Sequence, residues 1–386
     1  MARSPKLQIV VFTDTYFETN GVGSYYRTVL EWCRRTEGIR AIVICPTGPD
    51  GKGGQVGDDV IAVRPSFPFR NPVYSHLTLG YFPQAKLCKI VNGISGPKVI
   101  HVATSGALGV AGARVARRLG LPLVGCYHTD LQRYGRLYGQ SLLGRPGAWL
   151  GGMITRVCDK LAYAQCEALS VPSASAAETT KSFFPGTAEV IPHPIDVNWF
   201  RPGPSRVGRF RDKYLTKGKI LAAIVGRVAK EKNLDLICEL LGKDERIDTV
   251  FVGDGPYAPT LIQRWGARVT GFLQGRELLE AYQQSDLFIQ LSTTETFGLS
   301  LAEALSCGLP AVVVRSRGFI ENLGGGNGVE ILDHDELPTL GDRCVALIAD
   351  RTRYQESSRR ARDLGLRCAA DAVLPKFQAF HEAVAR

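Results

Sequence analysis

The 386-residue chain contains no apolar run approaching the ~18 residues that a membrane-spanning helix requires, which excludes integral insertion by helices. Its first apolar stretch, LQIVVF after Met1 to Lys6, is too short for the hydrophobic region of a secretory signal and reads as a first strand. The ten cysteines stand singly, without a CxxC pair or a histidine cluster at metal spacing. This pattern points to a reducing compartment and away from a structural zinc site. No GxxxxGK[ST] loop occurs, and neither Gly21/Gly23 nor Gly253/Gly255 is followed three positions later by the third glycine of the dinucleotide fingerprint. P-loop and nicotinamide-cofactor functions therefore lose support. RNA- and DNA-binding motifs are also missing, so nucleic acid is not an expected partner. There are no internal repeats or low-complexity tracts.

The length exceeds the ~250 to 300 residues at which single cores usually divide, so two domains are expected. The net charge of +10 is unevenly held: residues 1 to 200 carry 21 basic and 13 acidic side chains, whereas the remainder carries 26 and 24. A basic first half suits an anionic partner such as phosphate or acidic lipid headgroups, and it is equally compatible with a plain solvated surface. Short apolar runs alternate with helical patterns. LQIVVF, AIVIC, KVIHV, LPLVGCY and ALSVP lie in the first half, and ILAAIVG, TVFVGDG, ARVTGF, DLFIQLS and PAVVV in the second. Strands separated by helices predict parallel sheets. The Pro-rich stretch IPHPIDVNWFRPGPS interrupts the alternation, which predicts Rossmann-like domains over 1–195 and 196–370. The segment 371–386, with Phe377, Phe380 and Val384 at helical spacing, predicts a final helix that packs back on the first domain. The fold class is thus α/β: two doubly wound domains facing across a cleft, with ligands expected at the carboxyl ends of the strands.

Candidate site residues gather at those strand ends. Glu295 and Glu303 stand eight positions apart in TETFGLSLAEALSCG, one in a loop and the other within the following helix. The start of such a helix offers unpaired N–H groups and the positive end of its dipole, so phosphate can rest against Gly298, Leu299 and Ser300 while the two carboxylates reach hydroxyls. A capping carboxylate at Glu295 and a solvated Glu303 fit the same spacing. In AAIVGRVAKEKNLDLI, Arg227 follows a strand and Lys232 a helix start; together they can clamp a diphosphate, or Lys232 can simply pair with Asp235. Asp254 and Gly255 form either a tight turn or another cleft-facing loop. In the first domain, Asn20 and Gly21 precede a helix, with Val22 and Gly23 completing a loop able to hold phosphate or sugar. His128 ends the strand LPLVGCYHTD, as a structural hydrogen-bonder or a catalyst. Beyond it, Arg133, Arg136 and Arg145 mix with Tyr134, Tyr138 and Trp149, which suits either a membrane interface or a solvated helix pair. Asp333-His334-Asp335 imitates a metal-binding DxD but reads as turn residues. No metal or other cofactor is expected.

With these residues in hand, the chain resembles the family 4 retaining glycosyltransferases of the GT-B fold along nearly its whole length. TDTYFETNGVG, YHTD, VPS, IDVNWFRP, VGRVAKEKNLD, VGDGP, VTGF and TETFGLSLAEALSCGLP occur in the family's order. The resemblance implies that Asn20 and Gly21 lie near diphosphate and acceptor, and that His128 approaches the donor sugar. It further implies that Arg227 and Lys232 bind diphosphate, that Glu295 contacts sugar hydroxyls, that Glu303 holds the ribose, and that backbone amides from Phe297 to Ser300 lie between them. Two segments depart from the family pattern: HisProIleAsp at 193 to 196, and RSRGFIENLGGGNG after PAVVV.

The implied reaction moves a hexose from a nucleoside diphosphate sugar, GDP-mannose or a UDP-sugar, to a hydroxyl of a glycan or lipid acceptor without a metal. The departing phosphate takes the acceptor proton. Likeness of the HTD segment to mannosyl- and sulfoquinovosyl-transferring relatives leans toward a lipid or lipid-linked acceptor. A cytoplasmic protein is expected, with peripheral contact to the anionic inner face of the membrane. A sugar-nucleotide epimerase of the same architecture, which needs no acceptor, and a non-catalytic nucleotide-sugar or lipid-binding scaffold are the rival readings.

Overall fold

ILAAIV is apolar at every position and LQIVVF at every position but Gln8, a pattern that suits strands covered on both faces. In the computed structural model, which describes residues 7–18, 20–47, 53–70, 78–323 and 328–385, the strand Leu7–Phe12 is buried throughout, and Ile220–Val225 from Leu221 onward. The chain divides into two units, Met1–Pro194 with Val373–Arg386 and Ile195–Ala372.

The sheet of the first unit runs, edge to edge, Glu189–Val190, Ala168–Val171, Leu123–Cys126, Lys98–Val102, Leu7–Phe12, Ile39–Pro46, Val60–Val63 and Gly54–Gly57. All neighbours are parallel except the last pair. From Leu7–Phe12 the chain winds first to one side and later to the other, so the sheet reverses direction between Leu7–Phe12 and Lys98–Val102. Such a switch point leaves a crevice at the strands' carboxyl ends. A separate hairpin pairs Ser66–Arg70 with Thr78–Tyr81. The final helix, Ala370–Val384, contributes Phe377 to the interior of the first unit, edge-on to Tyr25.

The second unit holds five parallel strands in the order Ile247–Val252, Ile220–Val225, Leu287–Gln290, Ala311–Val314 and Val329–Leu332. Its switch point falls between Ile220–Val225 and Leu287–Gln290. Helices cover both faces, and Leu301 and Leu305 of the helix Leu299–Ser306 are wholly buried.

Sequence and structure differ at a few elements. ARVTGF forms no strand of its own: Val269 and Gly271 make isolated bridges to Phe251 and Gly253, and Gly271, at φ 75°, then turns the chain away. Val60–Val63, Gly54–Gly57 and Val329–Leu332 were not anticipated; each is four residues long, and Gly54–Gly57 and Val329–Leu332 also lack an unbroken apolar run. The departure loop after Val314 contains the helix Arg317–Leu323, where Gly318 lies so close to the backbone of Glu295 that a Cβ would sit 2.4 Å from the Glu295 carbonyl oxygen. Its GGGN stretch lies outside the described residues.

Candidate active site

Two parallel neighbours, Ile220–Val225 and Leu287–Gln290, end at the same edge of the second sheet, so the loops that follow them must meet. The first carries Arg227 and Lys232, the second Glu295. Lys232 donates to Glu295 Oε1, and Gln290 donates to the same oxygen at 2.9 Å. Both partners of the ion pair are largely enclosed, with side chains 16% and 15% exposed, so water screens them little. Lys232 does not pair with Asp235, which instead accepts from Tyr257 Oη at 2.5 Å and Trp265 Nε1 at 2.6 Å. Arg227 bonds Glu231, four positions on in the same loop, and its side chain remains 30% exposed. Asn233, in the left-handed region at φ 55°, ties this loop to the next by donating to Leu291 O at 2.9 Å.

The VGDGP turn supports the Arg227 loop backbone to backbone. Val228 N donates to Asp254 O and Tyr257 N to Val228 O, at 2.9 and 3.1 Å. A Cβ on Gly253 would stand 2.0 Å from Gly226 O, and one on Gly255 2.3 Å from Val228 O. Only glycine permits this approach. Asp254 accepts from the Gly255 N–H at 2.7 Å, as a tight-turn residue does.

Gly298, at φ 92°, is the N-cap of the helix Leu299–Ser306, and no side chain caps that end. Its first amides, those of Leu299 and Ser300, therefore carry the donor character of an open helix start. Phe297 is 1% exposed and its ring belongs to the hydrophobic core, so its side chain is not available to a ligand. Glu303 accepts from Tyr282 Oη at 2.7 Å. The residue is half-buried, and desolvation raises its carboxyl to about 7, while the Tyr282 bond pulls the other way.

In the first unit, Asn20 caps the helix Gly21–Arg35 by accepting from Gly23 N at 2.9 Å, and its amide donates to Glu18 Oε2. Gly21 is exposed and Val22 half-buried. Gly23 is enclosed, and a Cβ there would meet Glu18 O at 2.7 Å. Asp14 reaches across the switch point to Thr104 Oγ1 (2.6 Å) and the amides of Leu108 and Gly109, capping the helix Ala107–Leu119. Burial raises its carboxyl, against the pull of those bonds.

His128 does not point outward. It is 5% exposed, and its ring belongs to a buried chain through His193, His128, Tyr26, His101 and His381, with successive separations of 3.0, 3.0, 2.7 and 2.8 Å. Desolvation lowers the basicity of all four imidazoles, so each is neutral and carries one N–H. The Phe377 carbonyl, 2.6 Å from His381 Nδ1, fixes the rest. His381 donates to it and accepts from His101 Nδ1–H. His101 then accepts from Tyr26 Oη–H, Tyr26 from His128 Nε2–H, and His128 from His193 Nε2–H. This assignment engages both ring nitrogens of His128 inside the chain.

Asp333 caps the 3₁₀ turn His334–Thr339 in a capping box with Glu336, and it pairs with Arg315. The second unit thus brings together Arg227, Lys232, Glu295 and the Gly298–Ser300 helix start on consecutive strand-end loops, and places Glu303 on the helix that begins there. Asn20, Gly21, Val22, Gly23 and His128 belong to the first unit. Sequence reasoning missed Tyr282, Gln290, Glu231 and Asn233. Gln290 and Asn233 sit beside chosen motifs and were within reach, whereas Tyr282, 21 positions from Glu303, reads as core.

The family described as Glycosyl transferases group 1 matches residues 208–361, and Glycosyltransferase Family 4 matches residues 19–199. The chain is 30% identical, over 92% of each sequence, to the GDP-mannose-dependent alpha-mannosyltransferase of Mycobacterium tuberculosis. It is 26% identical to the alpha-monoglucosyldiacylglycerol synthase of Streptococcus pneumoniae, over 89% of this chain and 79% of that one. Among solved structures, Anabaena HepE in complex with UDP and glucose superposes with a TM-score of 0.73 at 15% identity, over 98% of this chain and all of that one.

Proposed function

Because the chain belongs to the group 1, family 4 glycosyltransferases of the GT-B fold, we propose that it transfers mannose from GDP-mannose to a hydroxyl of a lipid or lipid-linked glycan, with retention of configuration. The carrying observation is the Lys232–Glu295 pair at the switch point of the second sheet, beside an uncapped helix start. Negative charge grows on the departing diphosphate as the glycosidic bond breaks. Arg227, Lys232 and the amides of Leu299 and Ser300 offer fixed positive charge and dipoles that stabilise this charge more than the intact donor. Glu295 would hold sugar hydroxyls and Glu303 the ribose diol, since carboxylates accept from paired hydroxyls. Asn20, Gly21, Val22 and Gly23 would form the loop near diphosphate and acceptor. The leaving phosphate takes the acceptor proton on the same face, which explains why no enzyme nucleophile is needed. Two side-chain cations supply the charge a metal otherwise brings, so transfer is expected to survive chelation.

The mannosyltransferase similarity over nearly full length supports GDP-mannose, and the similarity to a diacylglycerol glucosylating enzyme supports a lipid acceptor. A peripheral seat on the inner face of the cytoplasmic membrane fits that acceptor, and no described helix is long and apolar enough to cross a membrane. The test is a thermal-shift panel of GDP, UDP and ADP with their sugars, followed by transfer of labelled mannose to extracted lipids, with and without chelator. GDP should raise the melting temperature most, by mass action, and the product should keep the donor's anomeric configuration. Absence of a shift with every nucleotide would overturn the reading.

A further inference from the structure

Helical hairpins in water normally bury apolar side chains between their arms. The hairpin of the first unit is built the other way round. The helix Leu131–Tyr163 breaks at Leu143 and Gly144, where φ/ψ leave the helical region, and Pro146 opens the second arm. The first arm carries Gly135 and Gly139, the second Gly147 and Gly151, two small-xxx-small repeats. These glycines face one another so closely that a Cβ on Gly139 would lie 2.0 Å from Gly147 O, and one on Gly151 2.0 Å from Gly135 O. The arms therefore meet backbone to backbone, as helices do where the surroundings are apolar.

The apolar side chains consequently point outward. Every residue from 140 to 146 is exposed, with Leu142 at 75%, Leu143 at 68% and, one turn on, Trp149 at 70%. Met153, Ile154 and Val157 continue the exposed apolar surface along the second arm. Charge on this element has one sign at the surface: Arg133, Arg136, Arg145, Arg156 and Lys160 are exposed, while the single acid, Asp159, is buried at the base and accepts from Ser105 and Gln132. Arg136 lies seven residues before the turn, about 10 Å back along the helix axis. A depth of that order separates the acyl boundary from the phosphates.

We propose that the 131–163 hairpin is a membrane wedge, seating Leu142, Leu143 and Trp149 among acyl chains while Arg136 engages anionic headgroups and Arg133, Arg156 and Lys160, farther from the turn, draw the hairpin toward an anionic surface. Arg145, at the turn, reaches the same phosphates by its long stem. The partner is a lipid bilayer surface, selected by charge complementarity and by an apolar tip that no acidic side chain interrupts. The inference rests on the lipid-acceptor reading for its purpose, since a wedge would hold the enzyme where such an acceptor resides.

The test uses the full chain in flotation with vesicles of phosphatidylcholine, alone or mixed with phosphatidylglycerol. Wild type should bind the anionic vesicles, with Trp149 fluorescence shifting blue and a Trp149→Phe variant losing that signal. Leu142→Glu/Leu143→Glu should bind at least about tenfold more weakly, as should Arg136→Gln/Arg145→Gln, while the GDP-induced thermal shift stays unchanged in both. Failure of wild type to bind anionic vesicles, or equal binding by the tip variant, would overturn the wedge and leave the transferase reading intact. A wild-type dimer that the tip variant dissociates, without vesicle binding, would also overturn it and assign the face to a second copy. Vesicle binding without any nucleotide shift would retain the wedge and sink the transferase reading.

Discussion

Tyr282 donates its hydroxyl hydrogen to Glu303 Oε2 at 2.7 Å, from a fully buried ring to a half-buried residue. Burial raises Glu303 to about 7, and the Tyr282 bond favours the ionised form. A ribose diol needs the ionised carboxylate as acceptor. GDP affinity should therefore fall as pH drops through about 7, approaching about tenfold per pH unit in the acid limb. In Tyr282→Phe the midpoint should move upward, because the bond that favours the carboxylate is lost. Glu303→Gln should show neither step. Calorimetric titration of GDP from acid to neutral pH reads all three, and an unshifted midpoint in Tyr282→Phe would sink the assignment.

On the proposed reading Lys232 meets the charge of the leaving diphosphate, and its enclosed pairing with Glu295, which also accepts from Gln290, fixes its position. Lys232→Ala should lower kcat about a hundredfold, roughly 3 kcal/mol of lost transition-state stabilisation, with a smaller change in KM. Steady-state transfer with GDP-mannose measures the split. A change confined to KM would mean that Lys232 binds donor without favouring bond cleavage.

Much of this site was legible because parallel sheets convert sequence order into spatial order. Apolar runs end at defined residues, and whatever polar residues follow two neighbouring strands are brought to one edge. Lys232 and Glu295 lie 63 positions apart, yet each could be chosen from its own strand end. The Tyr282–Glu303 bond could not, because a tyrosine on an amphipathic helix carries no sign of what its hydroxyl reaches. The histidine chain was equally hidden. His101, His128, His193 and His381 come from distant stretches, and His128 alone attracted notice by ending a strand. ARVTGF misled because its apolar residues satisfy strand periodicity, whereas the backbone of Gly271 ends the pairing after two bridges. Facing glycines in the hairpin escaped for a related reason: close helix approach is a property of two segments that the periodicity of either one does not reveal.

The glycine contacts under Arg227 give a third expectation. Gly253→Ala adds a Cβ 2.0 Å from Gly226 O at a residue with φ 147°, so the strand-end loop bearing Arg227 must move. Overpacking of this kind costs about 1–3 kcal/mol, and GDP affinity should fall with it. Gly266→Ala is the control: φ is 63° there and no atom lies within 4 Å, so stability should drop by about 1 kcal/mol with affinity unchanged. Thermal melts paired with GDP titrations separate the two. Equal affinity in both variants would show that the Arg227 loop does not depend on this packing.

The buried imidazoles make the first unit sensitive to acid. Desolvation depresses His193 to about 3 and His381 to about 4, with His101 and His128 also held well below the ordinary histidine range. Below about pH 6.5 the unfolded chain takes up protons that the folded chain refuses, so their stabilising contribution is complete above that pH and is lost as pH falls. Each such histidine contributes a slope of up to about 1.4 kcal/mol per pH unit. Asp159, raised to about 6 by burial, works in the opposite direction, because the folded state then binds the extra proton as pH falls through that value. Asp14, raised by the same cause, adds to this offset. Glu303, raised to about 7 in the second unit, adds a third carboxylate to this offset; four histidines outweigh three carboxylates, and stability should decline from pH 6.5 toward 4. His381→Gln tests the balance, since an amide can still donate to Phe377 O or accept from His101 but cannot titrate. Denaturant unfolding across this range should show the variant's slope reduced by close to one proton, about 1.4 kcal/mol per pH unit, near pH 5, between the folded and unfolded values of His381. Identical slopes would mean that His381 binds a proton equally in both states, and the neutral chain of imidazoles that orients His128 would have to be abandoned.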